Sequence, residues 1–171
     1  MTIVWKKGVM AEKKTCCYSY FSIFSRGEVQ NGIGFIAESN SNFDPANITK
    51  RLDIEPHGTM KKGDERRTSI GVYGTYAGSS WDACQQEEPS MDAEAQCLAI
   101  VRALREKVPI LQQIKKEINV DFLIVIVPEV YGEEVPLMHF NQEIISFCHA
   151  TGTEISIDMY VVREPLWKRV F

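Results

Sequence analysis

The chain has 171 residues, 44% of them hydrophobic and 25% charged, enough for one domain with a sizeable core and too apolar for disorder. Its formal charge of −4 gives no whole-molecule attraction to nucleic acid or anionic lipid, so neither is an expected partner. Five cysteines without framework spacing, no secretory leader in residues 1–10 and no apolar run of bilayer length point to a cytoplasmic protein with reduced thiols.

Residues 18–25 are aromatic and strand-like, with Tyr18, Tyr20, Phe21, Ile23 and Phe24 suited to a pleated sheet. Asn31-Gly32 fits a tight hairpin turn, and Ile33, Phe35 and Ala37 alternate as its return strand. Asp44-Pro45 opens a short helix: Asp44 can accept from orphan amides, and Pro45 has no N–H to lose there. Ile48 and Leu52 share its buried face, and Pro56 forbids continuation. Residues 61–67 read as a charged loop. Residues 69–76 read as a strand with Ile70 and Val72 on one face, and residues 78–90 as irregular and acidic.

Ser90 is placed as the cap of the strongest helix, with Asp92 and Glu94 in its first turn and Leu98, Val101, Leu104 and Val108 at helical spacing. Pro109 ends or kinks it, and Leu111, Ile114 and Ile118 continue the pattern. Residues 121–127 are apolar on both faces, as in a central strand. Residues 140–150 form a helix stopped at Gly152. Residues 154–162 alternate, with Ile155, Ile157, Met159 and Val161 expected inward. The order β-β-α-β-α-β-α-β predicts a single α+β domain over residues 1–171, with peripheral tails at 1–12 and 163–171. A ferredoxin-like mixed or antiparallel sheet with helices mainly on one face is its leading architecture.

Three ordered stretches carry a resemblance. They are Phe43-Asp44-Pro45-Ala46-Asn47-Ile48-Thr49 with Arg51-Leu52-Asp53-Ile54-Glu55-Pro56 and Lys62-Gly63-Asp64; then Ser79-Ser80-Trp81; then Ile155-Ser156-Ile157-Asp158-Met159-Tyr160-Val161. From about residue 18 to 162 the chain resembles the DUF4279 family, small bacterial domains of unknown function. Asp53 stands where that family usually has glycine after the helix, so Asp53 is expected in a left-handed conformation. Residues 26–42 are longer than the family's usual link. No catalytic residue carries over; the resemblance implies a small interaction module, immunity-type in some similar proteins.

The chemistry-bearing residues give few constellations. Cys16-Cys17 and Cys148-His149 are sequence neighbours that project apart, so neither pair chelates a metal, and no metal or cofactor is expected. Cys84 is the best-placed thiol, but Asp82, Glu87 and Glu88 around it oppose a thiolate. Gly32-Ile33-Gly34 lacks the third glycine of a phosphate loop. Lys61, Lys62, Arg66 and Arg67 are diluted by Asp64 and Glu65. Two expectations remain, with nucleic-acid binding through residues 61–67 ranked below them. The first is a non-enzymatic interaction module that meets a basic protein through Asp82, Glu87 and Glu88 in one segment and Glu133 and Glu134 in another. The second is a small-molecule binder or enzyme with Trp81, Asp158 and Tyr160 lining a pocket.

Overall fold

A computed structural model describes residues 14–25, 41–86 and 90–162. The expected hairpin at Asn31-Gly32, its return strand and both terminal tails lie outside the described residues. The rest is a mixed α+β structure. Its strands are β1 (Cys16–Ser25), β2 (Gly58–Met60), β3 (Glu65–Thr68), β4 (Gly71–Thr75), β5 (Ser80–Ala83), β6 (Val120–Tyr131), β7 (Thr153–Ile157) and β8 (Tyr160–Val162). Its α-helices are α1 (Pro45–Leu52), α2 (Ala93–Leu104), α3 (Val108–Glu117) and α4 (Gln142–Thr151).

Six strands form one mixed sheet in the order β2-β5-β1-β6-β7, with β8 also pairing β6; β3 and β4 form a separate two-stranded ribbon. Neighbours are antiparallel except that β7 and β8 both run parallel to β6. The path from β5 through α2 and α3 to β6 steps over β1, whereas the path from β6 through α4 to β7 joins adjacent strands.

Helix ends follow local chemistry. Asp44 caps α1 by accepting from Ala46 N–H, and Pro45 opens its first turn. Asp53 closes it at φ 52°, in the left-handed region that the missing glycine foretold. The cap of α2 is Asp92, which accepts from Ala95 N–H, while Ser90 Oγ accepts from Asp92 N–H one step upstream. A 3-10 turn at Arg105–Lys107 joins α2 to α3, and Pro109 falls in α3's first turn, where no N–H is needed. Asn141 caps α4, and Gly152 ends it at φ 64°.

The buried cluster centres on Phe21, which meets Phe122 at 5.8 Å and Phe147 at 6.4 Å between ring centroids. It includes Ile48 and Leu52 of α1, Ile100 and Leu104 of α2, Leu111 and Ile114 of α3, and Ile144 of α4. Gln96 of α2 ties helix to sheet, accepting from Ser19 Oγ at 3.0 Å and donating to the Cys17 carbonyl at 3.1 Å.

Three expectations need correction. Residues 61–67 are not all loop: Glu65–Thr68 is a strand paired with β4, and Ile70 and Val72 are exposed on that ribbon instead of facing a core. Residues 78–90 contain β5, with Trp81 fully buried at its centre. The last strand is interrupted after the Asp158 N–H bond to the Ile126 carbonyl, beside Pro128, which has no N–H to pair, and Ile157, Met159 and Val161 are exposed.

Candidate functional site

Strand register sorts the sheet's side chains onto two faces, because successive residues of a strand alternate and directly paired residues share a face. One face carries Phe21 and Ile23 of β1, Trp81 and Ala83 of β5, and Phe122, Ile124 and Ile126 of β6, all buried. Helix side chains reach this face, as in Phe147 of α4 against Phe21 and Lys115 of α3 over the Phe122 ring at 5.0 Å. The other face carries Tyr18, Tyr20 and Ser22 of β1, Ser80 and Asp82 of β5, and Asp121, Leu123, Val125 and Glu129 of β6. Glu154 pairs with Leu123, and Tyr160 with Glu129, so both join them. Every carboxylate carried by the six-stranded sheet, namely Asp82, Asp121, Glu129 and Glu154, therefore stands on this second face.

Asp82 is the best-built point of that face. Ser22 Oγ donates to its Oδ1 at 2.5 Å. Burial pushes the carboxyl above the ordinary carboxylate value, opposed by the Ser22 hydrogen bond and by the charge of nearby His57. His57 N–H donates to the Asp82 carbonyl, and its ring meets Tyr20 edge to face at 5.4 Å. Burial, and after it the charge of Asp82, hold the Tyr20 phenol above its usual value. Ser80 Oγ bears on the Asp82 carboxylate yet completes no hydrogen bond of acceptable geometry. It is the buried side-chain polar atom left unpaired among the described residues, in a residue only 5% exposed. On β2 the residue opposite Asp82 is Gly58, where an added methyl would meet Asp82 Oδ2 at 3.6 Å.

At the far edge, Tyr160 O–H donates to Asp158 Oδ2 at 3.0 Å, and that bond raises the phenol's pKa. Both residues are exposed, and their charges reach Tyr20.

The site residues expected from sequence thus separate. Asp158 and Tyr160 are brought together, but Trp81 is 0% exposed on the opposite face, so it lines no pocket with them; the large apolar indole is held by the core. Asp92 is spent as a helix cap, Glu94 pairs with His139 at 2.9 Å, and Glu87 and Glu88 lie outside the described residues. Glu133 and Glu134 are exposed beyond β6. Tyr20, Ser22, His57 and Gly58 were missed, because their relation to Asp82 comes from pairing between strands distant in sequence and leaves no local motif; Ser80, two residues from Asp82, was missed because their segment was read as irregular instead of as strand.

Other candidates are chemically quieter. A hollow of about 400 Å³ at the start of α1 is lined by Asp44, Thr49, Met60, Lys61, Asp64 and Tyr76, and the Lys61–Asp44 ion pair at 3.0 Å lies on its wall. Burial drives the Cys17 thiol up to about 11 and the Cys97 thiol to about 12, and raises Cys84, the reverse of what a nucleophile needs. Among the described residues no helix is long and apolar enough to cross a membrane.

The family model described as a domain of unknown function (DUF4279) matches residues 15–162, most of the chain, and the chain belongs to that family. No curated protein and no solved structure matches it.

Proposed function

We propose that this member of the DUF4279 family is a non-enzymatic interaction module that receives a basic protein partner on the acidic, tyrosine-bearing face of its sheet. One observation carries the reading: pairing gathers Asp82, Asp121, Glu129 and Glu154 on that face, beside Tyr18, Tyr20 and Tyr160. Carboxylates attract lysine and arginine, and phenol rings add cation–π contact. Two split crossovers, β1–α1–β2 around β5 and β5–α2–α3–β6 around β1, support a ferredoxin-like layout with the helices gathered on the opposite face. The adjacent parallel pair β6–β7 departs from it. Five unpaired thiols support a reducing, cytoplasmic setting.

The test is affinity capture at low salt with wild type, with a Glu129→Gln, Glu154→Gln, Asp158→Asn variant, and with a Glu133→Gln, Glu134→Gln variant. A basic partner that elutes as salt rises and is lost only with the first variant supports the sheet face. Loss only with the second moves the surface to the loop at Glu133 and Glu134. Retention of the partner by both overturns the reading.

A further inference from the structure

We infer that Asp82 is the seat for one primary ammonium group, of the kind a lysine side chain presents, with Asp82 Oδ2 and Ser80 Oγ as its acceptors. This rests on the basic-partner reading and names its anchor. Ser22 already donates to Asp82 Oδ1, so Oδ2 is the less engaged oxygen. A guanidinium gains most of its advantage from two parallel hydrogen bonds to both oxygens, and there it would compete with Ser22 at Oδ1. An ammonium is a compact point charge that needs only single acceptors.

Space and unmet hydrogen bonding converge on the same spot. The residue opposite Asp82 is glycine, and the missing side chain leaves room for about one methyl beside Oδ2, an ordinary van der Waals distance of 3.6 Å from where a Cβ would stand. Ser80 lies two residues along β5 on the same face, and its buried Oγ stands against the Asp82 carboxylate without completing a hydrogen bond of acceptable geometry. Such an atom is costly to leave unmade. An ammonium on Oδ2 would give that Oγ a donor and give the carboxylate a counter-charge. A divalent metal would want several oxygen ligands, and Asp82 supplies one.

The decisive variant is Gly58→Ala. Gly58 is outside the positive-φ region, so alanine fits its backbone, and the substitution leaves every charge in place while filling the seat. Two acetylated, amidated pentapeptides, Gly-Gly-Lys-Gly-Gly and its arginine counterpart, would be titrated into ¹⁵N-labelled protein and followed by amide shifts. Expected is lysine-peptide binding that shifts the amides at Gly58 and at Trp81 to Ala83. It should weaken about tenfold in Gly58→Ala, equivalent to about 1.4 kcal/mol, fall further in Asp82→Asn, and be stronger than arginine-peptide binding. Circular dichroism melts check that each variant is folded.

Equal binding by wild type and folded Gly58→Ala overturns the seat. So does a lysine response confined to Glu154, Asp158 and Tyr160, which leaves the basic-partner reading standing. Absence of any response on this face to either peptide overturns both.

Discussion

The indole N–H of Trp81 donates to Thr49 Oγ1 at 2.9 Å, joining the centre of β5 to α1. Both halves of that contact are needed, since the ring fills the core and its one polar atom must find a partner there. Thr49→Val keeps the shape and leaves the N–H unpaired, at an expected cost of about 1–3 kcal/mol. Trp81→Ala removes the ring too and should cost about 3–5 kcal/mol. Urea midpoints measured with unchanged slope would check both; a neutral Thr49→Val would show that water satisfies the indole.

Asp53 ends α1 in a left-handed conformation that costs a side-chain-bearing residue free energy. Asp53→Gly should therefore raise stability by up to about 1 kcal/mol, the gain being trimmed by glycine's freedom in the unfolded chain. Asp53→Ala should move it the other way, because alanine keeps the Cβ and loses the short polar side chain. Paired denaturation curves at one pH would decide the order.

Burial raises the Asp82 carboxyl, so charging it is harder in the folded chain than in the unfolded one. Between the unfolded and the folded pKa the native state holds more protons, and stability falls as pH rises through that window. Below it Asp82 is protonated in both states and the penalty vanishes. Asp82→Asn removes the charge and keeps an acceptor for Ser22. The melting temperature of the variant relative to wild type should thus be higher at pH 7 than at pH 3.5. A relative advantage that grows toward acid would contradict the assignment.

Gln96 holds Ser19 and the Cys17 carbonyl from inside α2. Gln96→Leu should cost about 1–3 kcal/mol despite the apolar surroundings, since two buried groups lose their partner. A double-mutant cycle with Ser19→Ala should recover part of that loss; strict additivity would mean the contact is worth little.

Where local chemistry is strong, the fold could be read directly. Asp44-Pro45 and Pro56 bracket α1, Gly152 stops α4, and the unbroken apolar run marks β6 as interior. What escaped notice was decided by distant partners. β5 is four residues long and mixes Ser80, Trp81 and Asp82; it is a strand because β1 and β2 flank it. The alternation at 154–162 promised one continuous strand; β7 and β8 do keep one register on β6, but the ladder lapses at Asp158 and Met159, beside Pro128, which has no N–H to give. Asp158 beside Tyr160 was within reach, being two residues apart. Asp82 was noticed only as one acid in an acidic stretch. Its proximity to Ser22 and Gly58 exists only after the strands have met.

Alternation along β6 has an evolutionary consequence. Phe122, Ile124 and Ile126 are held fast by the interior, while Asp121, Leu123 and Glu129 point away from it. Substitution at Asp121, Leu123 or Glu129 can therefore change the outward side chains while the interior stays intact, whereas Val125 and Val127 on that same side are themselves buried. Insertion of a single residue would do the reverse, turning oil outward and acid inward along the rest of the strand. Divergence among related chains should accordingly proceed by exchange of side chains on this strand, with length changes confined to the connections.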